Sequence, residues 1–452
     1  MAKTIDEMRS DFCSGLLLPS VAIETAIAAA QDCRSEINAF AEIDVAGARL
    51  SAAASDYRFR DRTARALEGI PVAVKDLVDT AGLATRYGSS AYSKNVPSVD
   101  AVMVRALKEN GAAIVGKTTT HEFAWGVTTV SDHFGDTLNP WDHERTPGGS
   151  SGGMAAAIAY GAVSAGLGTD TGGSVRIPAA LCGIVGFKPT YGMLSTKGVF
   201  PLAPSLDHVG IMGGCVGDVR TIASALGIAC EDQPSVVRYR LGIVIEDEAP
   251  MSADVRHSFD LACATLKPCH DMTSVHGLPS FKRGFEAFGG IVLAEGGMVH
   301  FGRRDMEQIR ASYGSETAGR LALAAQCTIG SYADSQRARR EFVGQLEIAM
   351  QDFDFLLLPT CPCTAPGRRT ETIEIGAWKG SIREALMTYT APFNLAGLPA
   401  LSLPILPGVT DGLPIGLQIV AGRGRDSELV AFAGQVERLL RGDATGVQSK
   451  YR

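Results

Sequence analysis

Residues 166–180 read GLGTDTGGSVRIPAA. One serine, Ser174, follows Thr171-Gly172-Gly173, with an acid at Asp170 and a cation at Arg176. Adjacent glycines let a backbone turn tightly and present bare N–H groups. Such a loop suits an anion or a developing negative charge. It predicts a nucleophile at Ser174, with an oxyanion hole in the residues just before it.

Outward from this stretch, strands and helices interleave. A glycine cluster at 148–153 (GGSSGG) leads into a helix of small residues at 154–163, and a strand at 183–187 precedes a turn at 188–192. Upstream, 69–76 (GIPVAVKD) is a β-branched run whose end presents Lys75. Residues 100–110 predict a helix closed by Gly111, 112–115 a strand, and 118–141 a loop rich in threonine, histidine and aromatics. Residues 21–33 and 37–50 both carry helical spacing. Downstream, 215–350 is predominantly helical, with a strand at 241–245; 352–360, 397–405 and 412–420 predict buried strands, and 428–440 a last amphipathic helix. This alternation predicts an α/β class, as one domain over 1–452 with a helical excursion over about 215–350.

Composition narrows the function classes. The chain has 452 residues, 46% hydrophobic and 20% charged, and its 42 Lys and Arg against 49 Asp and Glu give a net charge of −7. That sign opposes non-specific nucleic-acid binding. The ten cysteines form no CxxC pair, and Cys361-Pro362-Cys363 has the wrong spacing for a zinc knuckle. Reduced buried thiols are expected. The first residues lack a signal-peptide apolar core, and no 18-residue charge-free apolar run is present. A cytoplasmic protein is expected.

Three features carry chemistry together: Lys75, the pair Ser150-Ser151, and Ser174. A serine hydroxyl is a poor nucleophile until a base takes its proton. A lysine is that base only when neutral, and burial favours the neutral amine. Bringing its pKa near 7 requires about 4 to 5 kcal/mol of differential destabilisation of the ammonium.

GIPVAVKD, GGSSGG and GTDTGGSVRIPAALCGIVGFKPTYG, in that order, resemble the amidase signature family. The match is close over 69–210 and returns more loosely at 353–366 and 389–420. The resemblance implies an α/β/α sandwich around a large mixed sheet. It implies Lys75 as general base, Ser150 (after a cis peptide) as bridge, and Ser174 as nucleophile. It also implies backbone N–H groups of Thr171, Gly172, Gly173 and Ser174 as the oxyanion hole. Ser151, Asp170 and Arg176 are placed behind them as supports, and Trp125 against the substrate. The expected reaction cleaves the C–N bond of a small carboxamide through an acyl-enzyme. No cofactor or metal is implied; the partner is a small-molecule amide, with no nucleic acid and no membrane, and a homodimer is an allowed assembly.

Competing readings are weaker. GGSSGG also fits G-x-S-x-G, which would recruit Asp207 and His208 to Ser150 or Ser151. Neighbours on one strand point apart, so those two cannot serve one serine. Gly166-Leu-Gly168 gives GxGxxxG, a misplaced dinucleotide fingerprint. His121, His133 and His143 share no helical face, which suits loop or pocket histidines better than a metal site. Within the family, glutaminase subunits of tRNA-dependent amidotransferases usually carry N-x-D-E-F-A-x-G and SLDQ. Here the corresponding stretches are THEFAWG and SLDH. These resemble free-standing amidases of indoleacetamide, aryl-acylamide or carboxybiuret type; the alternative is the glutaminase role.

Overall fold

A computed structural model describes residues 2–230, 237–245 and 249–443. Parts of the expected excursion (231–236 and 246–248) and of the 1–452 span (1 and 444–452) lie outside the described residues. The strands are β1 (Phe40–Ile43), β2 (Pro71–Lys75), β3 (Ala113–Thr118), β4 (Ala165–Asp170), β5 (Val185–Lys188), β6 (His208–Gly213), β7 (Arg240–Ile243), β8 (Asp271–Ser274), β9 (Phe355–Pro359), β10 (Thr372–Ile375), β11 (Trp378–Ser381), β12 (Ala400–Pro404) and β13 (Gly416–Ala421). Among the described residues eleven of them form one mixed sheet, ordered β1-β3-β2-β4-β6-β5-β12-β13-β9-β7-β8, and β10 and β11 form a separate hairpin.

Why the central strands read as unbroken apolar runs is visible in β9 and β13. Phe355 and Leu357 face one hydrophobic cluster while Leu356 and Leu358 face another; Leu417 and Ile419 oppose Val420 in the same way. Successive side chains alternate faces, so a strand covered on both sides must be apolar throughout. On one face lie the helices Val102–Glu109, Val216–Ala225 and Ala253–Leu266. The other face is covered by Pro19–Ile37 and Gly152–Tyr160 at one end and by Phe281–Phe301 at the other. The architecture is an α/β/α sandwich.

β2 runs parallel to both β3 and β4. Lys75 therefore ends β2 on the same edge where Asp170 ends β4. Crevices outside the carboxyl ends of parallel strands are where open α/β sheets place their ligands.

The structure departs from the sequence reading at several elements. Residues 37–50 are not a helix throughout: Asn38 stops the first helix at φ 53°, β1 follows, and Asp44 caps a new helix, Val45–Arg60. β1 gains its conformation from antiparallel pairing with β3. Residues 166–180 are less of a loop than expected, because β4 extends to Asp170 and a helix, Arg176–Cys182, begins two residues after Ser174. β6, β8 and the β10–β11 hairpin were not expected as strands; β8 is a polar edge strand. No described helix is long and apolar enough to cross a membrane.

Candidate active site

Lys75 is wholly buried, with its Nζ 2.7 Å from Ser150 Oγ and 2.7 Å from Thr169 Oγ1. Burial drives its pKa well below the ordinary lysine value, and the charges of Asp170 and Asp207 only partly oppose that shift. The neutral amine that a base requires is thus favoured by the neighbourhood. The peptide bond Gly149–Ser150 is cis. Next along, Ser151 ties the two glycine-rich segments together. Its N–H donates to Ser174 O (3.1 Å), and its Oγ donates to Thr169 O (3.2 Å).

Ser174 sits in the short turn between β4 and the helix that starts at Arg176. That turn is held from below. Asp170 accepts from Gly173 N (2.8 Å), Val175 N (3.2 Å), Arg176 Nε (3.0 Å) and Nη2 (2.9 Å), and Asn394 Nδ2 (2.8 Å). Arg176 in turn donates to Thr390 O (3.1 Å), Gln418 Oε1 (2.6 Å) and Asn394 Oδ1 (2.6 Å). Burial alone would raise the Asp170 carboxyl; the Arg176 and Lys188 charges outweigh it and hold the group below the usual carboxylate range. Thr171 Oγ1 donates to Asp207 Oδ1 (2.7 Å), and Thr390 Oγ1 donates to Gly172 O (2.7 Å).

This network corrects one expectation. The Gly173 N–H is engaged by Asp170, so it does not point free at a developing oxyanion. At φ 130° Gly173 holds a conformation L residues rarely adopt, and a Cβ there would lie 2.2 Å from Thr390 Oγ1. Its glycine answers to backbone shape. The relay is also open at one leg: among the described residues no hydrogen bond joins Ser150 Oγ to Ser174 Oγ.

Ser174 and Gly172 border a narrow space of about 20 Å³ that Trp125, Phe288, Val292 and Met387 line with apolar surface. The helical segment thus supplies Phe288 and Val292 to the site. Beyond lies a polar cavity of about 550 Å³ that includes His121, Glu122, Asp132, Glu316 and Arg320. Val127 and Arg383 line both spaces. His121 Nε2 is 3.0 Å from Glu316 Oε2, while His133 lies 3.9 Å from Glu122. Among the described residues no group of three or more His, Cys, Asp or Glu could hold a metal ion. Asp207 and His208 part as strand geometry requires: Asp207 meets Thr171, and His208 Nε2 lies 3.3 Å from Lys188 Nζ.

Sequence reasoning did not single out Thr169, Thr390, Asn394, Gln418 or Arg383. A usable signal existed for three of them. Thr390, Asn394 and Gln418 are polar residues inside apolar C-terminal runs, and buried polar groups need partners.

The chain is 36% identical over 421 residues to AtzE of Pseudomonas sp. (strain ADP), a component of 1-carboxybiuret hydrolase, covering 88% of this chain and 90% of the relative. It is 35% identical over 414 residues to the A-type component of the glutamyl-tRNA(Gln) amidotransferase of Methanococcoides burtonii, covering 82% and 85%. A solved structure described as an amidase superposes with a TM-score of 0.89 at 33% identity, over 97% of this chain and all of that one (100%). The family model described as Amidase matches residues 21–430. The chain therefore belongs to the Amidase family, the amidase signature enzymes, and is an amide-bond hydrolase.

Proposed function

We propose that Lys75, Ser150 and Ser174 form a proton relay that cleaves small carboxamides. The observation that carries this reading is the 2.7 Å contact between the buried Lys75 Nζ and Ser150 Oγ. Neutral Lys75 takes the Ser150 proton, Ser150 takes the proton of Ser174, and Ser174 Oγ attacks the amide carbonyl. The C–N bond breaks as the relay returns a proton to the leaving nitrogen, which departs as ammonia or an amine. Water then repeats the sequence on the acyl-enzyme and releases the carboxylic acid. The amides of Thr171, Gly172 and Ser174 supply the oxyanion hole, each donor worth about 3 to 4 kcal/mol. Asp170, Arg176 and Ser151 hold the turn, and Trp125 forms a wall of the acyl space. No step in this scheme calls on a cofactor.

Among family activities we favour a free-standing amidase of indoleacetamide, aryl-acylamide or carboxybiuret type. The THEF and SLDH stretches and the apolar surface beside Ser174 support that choice. The similarity to components of glutamyl-tRNA(Gln) amidotransferases keeps a second reading in view, a glutaminase serving a tRNA-dependent complex. An amide panel assayed for ammonia or amine release tests the first, and full activity in Ser174→Ala would sink it. Glutamine-dependent tRNA amidation on adding partner proteins, with no turnover of free amides, would favour the second.

A further inference from the structure

The polar cavity is lined by three arginines, and two of them are already paired. Arg320 is bonded to Glu316, and Arg369 lies 2.8 Å from Asp136 Oδ1 and 3.8 Å from Asp132. The third, Arg383, makes no hydrogen bond or ion pair among the described residues, and the exposed Glu371 on the same lining does not pair with it. It is half-buried on the helix Ile382–Met387, one turn before Met387. Its position is particular: it lines the narrow space that holds Ser174 as well as the wide cavity outside it.

We propose that Arg383 receives a carboxylate of the substrate, so that the site selects small amides carrying a negative charge a few atoms from the scissile carbonyl. The inference rests on the amidase reading and deepens it. A planar guanidinium presents two parallel N–H donors to a carboxylate, and Arg383 has no anionic partner among the described residues. Around Ser174 the surface is otherwise apolar, so this cation is the feature there that distinguishes a charged amide from a neutral one of equal length. The acids across the cavity do not cancel it. Glu316 is engaged by His121 and Arg320, Glu122 accepts from Gly314 N (2.9 Å), and Asp132 accepts from Ser315 N (3.2 Å) and Oγ (2.9 Å).

Two matched pairs test it: succinamate against butyramide, and N-acetylglycine against N-ethylacetamide. The readout is the ratio of kcat/KM, anionic over neutral, within a pair. Wild type should favour the anion in one pair by about 10- to 100-fold, the range of a charge-assisted hydrogen bond. Arg383→Met should erase that ratio chiefly through KM, and Arg383→Lys should restore part of it. No preference in either pair, or a preference that survives Arg383→Met, overturns the proposal. Failure to hydrolyse any amide would instead sink the amidase reading, and calorimetry then decides on Arg383. Succinamate binding to Ser174→Ala that weakens at least about tenfold on adding Arg383→Met supports the site; equal binding overturns it.

Discussion

Beneath Ser174, Asp170 and Arg176 have every polar side-chain atom engaged by a protein partner. The opposite wall of the site is built otherwise. There His121 Nδ1, Glu122 Oε1, Trp125 Nε1 and Arg320 Nη1 are buried with no hydrogen-bond partner among the described residues. The floor is thus over-determined, as a preorganised catalytic turn needs, while the wall keeps donors and acceptors that its own fold does not satisfy. On the proposed mechanism, chemistry belongs to the floor and selectivity to the wall. That division can be attacked from either side.

The hardest blow falls on the floor's reacting groups. Ser174→Ala should lower kcat/KM by about 10⁴- to 10⁶-fold, with circular dichroism and the melting temperature unchanged, because the hydroxyl borders a small space and makes no hydrogen bond among the described residues. Retained turnover would remove the nucleophile from the floor altogether. Lys75→Met should follow with a loss of about 10³- to 10⁴-fold, and it carries a pH signature. Burial depresses the Lys75 pKa, so the amine is a base above that value and an inert ammonium below it. Wild-type kcat/KM should therefore climb with pH through a limb lying below the ordinary lysine range, and Lys75→Met should lack the limb. The same shift makes the unfolded chain bind more protons than the folded one. Stability should then rise with pH between the folded and unfolded values of this group, measurable by urea unfolding across pH.

Breaking the support is expected to cost stability before chemistry. Arg176→Met strands the buried Asp170 carboxylate and should destabilise the fold by about 3 to 5 kcal/mol in urea unfolding. Mutation of the wall should do the reverse. Phe288→Leu opens the space beside Gly172, where a Cβ would lie 2.5 Å from Phe288 Cζ and 2.3 Å from Met387 Cε. The ratio of kcat/KM for an aromatic amide over acetamide should rise by about tenfold. A variant that changes stability but leaves this ratio untouched would move specificity elsewhere.

Legibility in the sequence followed how local each feature is. Lys75 stood out as a candidate because an apolar strand ends in a charge, and Ser174 because glycines crowd one side of it. β1 and β8 could not, since edge strands take their conformation from a partner strand more than from their own apolar pattern. Gly173 was misjudged for a related reason: adjacent glycines say that backbone is close, and only the folded turn says that Asp170 already holds its N–H. Arg383 gave no signal, because an arginine on a short helix is ordinary until its surroundings are known.

By itself the sequence determined the reaction class, through short motifs that resemble the amidase signature family, and the α/β class, through alternating runs; the meeting of Lys75 with Ser150, 75 residues apart, is already tertiary. Tertiary structure decided the rest. Asp170 and Arg176 lie six residues apart, yet the groups that complete their network, Thr390, Asn394 and Gln418, are more than 200 residues away. The space beside Ser174 is likewise closed by Phe288 and Met387 from distant helices. No local pattern encodes such meetings; they exist only once the sheet has brought its edges and covering helices together. On the proposed mechanism the glycine-rich turn carries the nucleophile, and the wall around it decides what is admitted.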